Sequence, residues 1–217
     1  MLPAKGLTRD AFDLDPTKLR PLPSADDEAR SVGTTLGADP SAVLIDTAAT
    51  EEALKQQPLA NYRVLHFAAH GLPSTRFPAR AALLLRAGGT DDGVLQAREI
   101  LLLRLNAGLV TLSACATGSG SVHGQDGPAS LVRPFLASGA RAVVANLWAA
   151  DDTFSLALMR AFYRQLAAGA DVGTALRDAK REMLATFGPQ AVPRLWSGVV
   201  AYGDTTVAVA SAAGTGQ

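Results

Sequence analysis

Cysteine is nearly absent from this chain: Cys115 is the only one, and there are just three histidines, His66, His70 and His123. One cysteine closes no internal disulfide, and no group of Cys and His has the spacing of a zinc site. An excess of charge is also missing, since 20 Lys and Arg balance 20 Asp and Glu. That removes the electrostatic basis for nucleic acid or an anionic membrane as a partner. No apolar run reaches the length of a membrane span. The first residues, Met1 to Gly6, lack the apolar core of a signal peptide, so the expected location is cytoplasmic. Gly118-Ser119-Gly120 lacks the lysine and the full spacing of a phosphate loop, which sets nucleotide binding aside. No metal or organic cofactor is implied.

What remains is a chain of 217 residues, 48% apolar, enough for one domain with a full core. Strand and helix signals alternate along it. Residues 1–21, with Pro, Asp and Lys but no clear period, read as an arm or linker. A helix follows, with Ser24 as candidate N-cap, Asp26, Asp27 and Glu28 in its first turn, and Gly37 ending it. Ala42 to Ile45 is a short β-rich run and predicts a strand. Thr50 caps the next helix and Pro58 stops it. Tyr62 to Ala68 predicts a buried strand, Ala82 to Leu85 an edge strand or hairpin arm, and Gln96 to Leu103 a short helix. Leu109 to Leu112 predicts another buried strand. Ala129 to Ala137 is helical, and Ala142 to Leu147 is a continuous apolar run of the kind a central parallel strand shows. Thr153 to Ala168 and Val172 to Thr186 have strong helical periods. Trp196 to Tyr202 predicts a last strand, and 205–217 a loose tail. The alternation argues for an α/β fold with a mostly parallel sheet and helices on both faces.

Two stretches carry chemistry. Val64-Leu65-His66-Phe67-Ala68-Ala69-His70-Gly71 is an apolar strand ending in His-Gly. Leu109-Val110-Thr111-Leu112-Ser113-Ala114-Cys115 is a second one, breaking into small residues at the cysteine. As parallel neighbours, the two strands deliver His70 and Cys115 to one carboxyl edge, where open α/β sheets hold their sites. A histidine beside a cysteine generates the nucleophilic thiolate. Taken singly, a cysteine after a buried strand is most often a small buried hydrophobe. The paired strand–turn–glycine contexts shift the balance toward a Cys-His hydrolase. Gly71 and Gly118 remove side chains where a substrate would approach, and the Gly71 and Cys115 amides are the natural oxyanion donors. His66 reads as a core histidine bonded locally, and His123 as a solvated residue of the small, polar loop 118–128. Asp151 and Asp152 read first as N-cap and first-turn acids of the following helix, with one of them facing the cleft as the functional alternative. Trp148, at a strand end, is core or a pocket wall.

Three segments resemble one family. They are Leu65-His66-Phe67-Ala68-Ala69-His70-Gly71, Leu112-Ser113-Ala114-Cys115-Ala116-Thr117-Gly118 and Ala145-Asn146-Leu147-Trp148-Ala149-Ala150-Asp151-Asp152. In this order they are similar to the CHAT domain, a branch of the caspase–separase superfamily of cysteine peptidases, often attached to TPR repeats. The resemblance covers residues 22–204. It implies a caspase-like three-layer α/β sandwich, His70 as catalytic histidine and Cys115 as nucleophile. It also implies an acidic residue after the Leu-Trp strand end that receives a basic P1 side chain; Asp152 is favoured over Asp151. Family members commonly carry Gly-Glu-Gly after the cysteine loop, where this chain has Gly124-Gln125-Asp126-Gly127, so Asp126 stands near that acid's place. The expected partners are a protein or peptide substrate and the TPR or other regulatory domains of a parent protein. Two rivals explain the same strands: a catalytically idle scaffold of this fold, and a flavodoxin-like ligand-binding domain, which leaves the dyad to coincidence.

Overall fold

The computed structural model describes residues 19, 21–74, 76–113, 129–148 and 151–209. Its centre is a four-stranded sheet made of β1 (Val64–Phe67), β5 (Leu109–Leu112), β6 (Ala142–Asn146) and β7 (Val199–Gly203), in that spatial order. β1, β5 and β6 run parallel, with Phe67 opposite Leu112 and Leu112 opposite Ala145. β7 runs antiparallel to β6. Every residue of β5 and β6 is buried, which accounts for their unbroken apolar runs: a strand covered by helices on both faces has no solvent side to alternate with.

The helices divide between the faces. On one lie α1 (Ala25–Leu36), α5 (Asp152–Ala167) and α6 (Val172–Phe187), packed round Phe162, Tyr163, Leu166, Leu109 and Val144. On the other lie α2 (Glu51–Gln56), α3 (Ala97–Ile100) and α4 (Ala129–Ala137), round Phe67, Ile100, Val110, Phe135 and Val143. Burying an aromatic or branched side chain of this size contributes about 1.5–3 kcal/mol, so each face holds itself together. The result is the three-layer α/β sandwich of the caspase-like class.

A second, antiparallel sheet departs from the first at its carboxyl edge. It is β2 (Gly71–Leu72), β3 (Ala82–Leu84) and β4 (Val94–Gln96), with β3 in the middle. The Ala82 run is thus a hairpin arm with partners on both sides, not an edge. The turn between β3 and β4 closes with reciprocal bonds between Gly88 and Asp91.

Three expectations change. Ala42 to Ile45 forms no strand: Pro40–Ala42 is a 3-10 turn, and Val43 and Ile45 are extended but pair with nothing among the described residues. The last strand starts later than Trp196, because Pro193 opens a short helix, α7 (Pro193–Trp196). The tail is not loose from its start. Val207 and Val209 are buried in the α5–α6 core, and Val172 N donates to the Val207 carbonyl at 3.0 Å.

Candidate active site

The carboxyl edge of the large sheet is assembled by three neighbouring strand ends. β1 stops at Phe67 and the chain reaches His70 in a short unpaired stretch before β2. The His70 carbonyl accepts from Leu84 N at 2.8 Å, so the backbone that carries the imidazole is pinned between the two sheets. The His70 side chain is partly buried, with Nδ1 shielded from solvent. Gly71 is buried at the start of β2, opposite Leu83.

β5 extends its ladder by one more bond, Ser113 N to the Phe67 carbonyl at 3.0 Å, and then leaves the sheet. The Ser113 carbonyl is taken by the side-chain amide of Asn146, which is buried at the end of β6. Ser113 Oγ is buried with no hydrogen-bond partner among the described residues. Cys115, with Gly118, His123, Asp126 and the rest of 114–128, lies outside the described residues. What the structure brings together is therefore His70 and the chain that leads to Cys115, on adjacent parallel strands.

β6 delivers the acidic pair one strand further along. Asp151 is the exposed N-cap of α5, its Oδ1 accepting from Phe154 N at 2.9 Å. Asp152 opens the helix and is half-buried, its Oδ2 accepting from Ser24 N at 2.9 Å. This bond ties the start of α1 to the start of α5. Ser24 gives no side-chain cap because its own backbone is helical, with φ −89° and ψ −2°, unlike the extended backbone of a capping residue. Trp148 turns toward α7. Its Nε1 donates to the Arg194 carbonyl at 2.7 Å, and its ring lies so close to Gly198 that a Cβ there would fall 2.6 Å from Cε2. It therefore walls the carboxyl edge on the α7 side and stands apart from His70's strand.

His66 points inward, as its place in the strand predicts. Nε2 lies 2.9 Å from Glu28 Oε1 and Nδ1 lies 3.0 Å from Tyr163 Oη, which donates to Thr111 Oγ1 at 2.8 Å. Burial pushes the Tyr163 phenol far up, so the hydroxyl keeps its proton. Sequence reasoning missed this role of Glu28, having read it as a first-turn acid of α1. The available signal was spacing: Glu28 precedes Val32 by one helical turn and shares its inward face. Among the described residues no group of His, Cys, Asp and Glu is arranged to hold a metal, and no helix is long and apolar enough to cross a membrane.

A caspase-like sandwich with a histidine past one strand's end, and in the sequence a cysteine after the neighbouring strand, defines the class. Within it, the CHAT-domain family model matches residues 5–204, and the chain belongs to that family. Tetratricopeptide repeat protein 28 of Mus musculus is 27% identical to it over 217 residues, covering 85% of this chain and 9% of that protein. The Homo sapiens protein of the same name is 26% identical, again covering 85% of this chain and 8% of the relative. The chain thus spans less than a tenth of the length of the curated relatives it matches.

Proposed function

We propose that this domain is a cysteine endopeptidase that cleaves a protein substrate after a basic residue. The observation that carries this reading is the parallel pairing of β1 with β5, which sends the His70 chain and the Cys115 chain out of the same edge. In the proposed reaction the Cys115 thiolate attacks the scissile carbonyl carbon, forming a C–S bond and an oxyanion held by the Gly71 and Cys115 amides. Collapse breaks the C–N bond, and His70 passes its proton to the leaving amine. Water then hydrolyses the thioester and restores the thiol. Asp152 supplies the carboxylate for the P1 side chain: Arg would meet it through two parallel hydrogen bonds, Lys as a point charge. The domain acts in the cytoplasm, within a longer polypeptide; TPR repeats, which the relatives' name describes, are the proposed regulatory neighbours.

The test is a panel of matched peptides with Arg, Lys, Asp or Leu at P1, cut by the parent and by Asp152→Ala. Cleavage after Arg and Lys, weakened in the variant by about 2–5 kcal/mol in kcat/KM, supports the reading. Equal cleavage after Asp or Leu sinks the acidic pocket. No cleavage of any peptide by a folded parent favours the idle scaffold, in which the same edge binds without reacting.

A further inference from the structure

A 3-10 turn, Pro78–Arg80, lies between β2 and β3. It packs against α3, where Ala97 N donates to the Ala81 carbonyl at 2.6 Å. α3 turns Ala97 and Ile100 into the core. Its last turn continues through bonds from Leu101 N to the Ala97 carbonyl and from Leu102 N to the Glu99 carbonyl. Leu101 and Leu102 therefore follow Arg98 at helical spacing and share its outward face. Leu101 is 53% exposed and Leu102 81%. Five large apolar side chains are exposed among the described residues, and three of them, Phe77, Leu101 and Leu102, belong to these two neighbouring segments. A single exposed leucine is ordinary, whereas such a gathering marks an interaction surface.

The charge of this face has one sign. Arg76, Arg80 and Arg98 are exposed on it. The only acid on either segment, Glu99, is already engaged: Oε1 accepts from Lys55 Nζ at 3.1 Å and Oε2 from Gln96 N at 3.0 Å. Arg76 and Arg80 each hold the guanidinium carbon 5.1 Å from the centre of the Phe77 ring, within cation–π range. The two charges are thus no more than about 10 Å apart, inside one Debye length at about 0.1 M salt. Elsewhere on the surface Arg86, Arg141, Arg164 and Arg177 each meet a carboxylate. Arg76, Arg80 and Arg98 meet none among the described residues. Aromatic and arginine side chains are also the residues that dominate the centres of protein interfaces. A second copy of this chain is a poor occupant, because a two-fold interface would set the arginine face against itself.

We propose that the face formed by Arg76, Phe77, Arg80, Arg98, Leu101 and Leu102 docks an acidic segment of another polypeptide, one with apolar side chains between its carboxylates. The carboxylates meet the three guanidinium groups through paired hydrogen bonds, which the planar fork of arginine favours over a point charge. The apolar side chains cover Phe77, Leu101 and Leu102. β3 joins this face to the candidate active site: it starts just after the turn, and its last residue, Leu84, donates to the His70 carbonyl. A strand of three residues spans about 10 Å, so the docked segment lies close to the edge that carries His70.

The test uses the full chain and a fluorescein-labelled peptide, Glu-Glu-Leu-Leu-Glu-Glu-Leu-Leu-Glu-Glu-amide. Fluorescence anisotropy reads affinity and backbone amide NMR shifts read location. At low salt the expected result is saturable binding with a midpoint below about 0.1 mM, with shifts confined to residues 76–81 and 97–103. Added salt should weaken it. Arg80→Glu combined with Arg98→Glu should weaken binding about tenfold or more, and so should Leu102→Glu. The same peptide with Lys in place of every Glu should not bind, which keeps the test decisive if a variant does not fold. No saturation at about 1 mM, equal binding of the Lys peptide, or undiminished binding by the folded double-arginine variant overturns the proposal. Two other results overturn it by naming a different occupant. Capture on phosphatidylserine vesicles without peptide binding assigns the face to a membrane. Dimerisation that Leu102→Glu abolishes, again without peptide binding, assigns it to a second copy. No arm reads proteolysis, so failure here and failure of the peptidase reading are separate results.

Discussion

Within β1, His66 is enclosed by Glu28, Tyr163 and Thr111, in a hydrogen-bonded chain that runs from α1 through the sheet to α5. Past the same strand's end, His70 is fixed through its backbone carbonyl by Leu84, beside the exit of the Cys115 chain. The two residues are four positions apart and of the same type, yet one is part of the protein's framework and the other lies at the edge where the proposed reaction would take place. The difference lies in where each residue stands: His66 within the sheet, His70 past the strand's end. At His66 both ring nitrogens have protein partners, so the imidazole contributes to stability. At His70 the backbone carbonyl is held by Leu84, and the proposed reaction would use its ring.

Variants on the two sides should therefore separate rate from stability. The largest effect belongs to the edge. Cys115→Ala should lower peptide cleavage by about 10⁵–10⁶ while the melting temperature barely moves. Retained cleavage of the same peptide would remove Cys115 from the reaction. Next is the interior. Glu28→Ala leaves His66 without its carboxylate in a buried site and should cost about 3–5 kcal/mol by denaturant unfolding. Glu28→Gln, which still offers an acceptor, should cost less, and a loss under about 1 kcal/mol for the alanine variant would show that the chain of bonds is not what secures α1.

How far these roles could be read beforehand differs between the two regions. The strands β1, β5 and β6 were legible because burial on both faces leaves apolar runs, α1, α4 and α6 because of their helical periods, and α2 and α5 also because of their caps at Thr50 and Asp151. The inward place of His66 followed from alternation with its neighbours. Its partner did not: a first-turn Glu looks the same whether it faces water or a histidine, and only the packing of α1 on the sheet decides. Val43 to Ile45 has strand propensity without a neighbour to pair with, and propensity does not supply a partner. The antiparallel direction of β7 was illegible because an apolar run reads alike in both directions. His70's anchor at Leu84 comes from a second sheet that alternation of strands and helices does not announce.

The smallest effect tests the framework through pH. Asp171 accepts from Thr174 N at 2.8 Å at the start of α6, and that bond holds its carboxyl below the usual aspartate range. A depressed carboxylate stabilises the fold above its unfolded pKa, and that contribution disappears as the pH falls through the lower folded value. The parent should therefore melt a few degrees above Asp171→Ala at neutral pH, on the order expected for losing one cap, and the gap should close in acid. A gap that persists unchanged at low pH would assign the difference to something other than the charged cap. Cleavage rates at neutral pH should not distinguish the two proteins.

The central claim, that His70 activates Cys115, is tested most directly by alkylation of the single thiol with iodoacetamide across pH. The parent should react with a midpoint well below the value of about 8.5 for a free cysteine, and His70→Ala should return the midpoint to near it. A thiol that is inert in the parent, or a profile that His70→Ala leaves unchanged, would contradict the dyad.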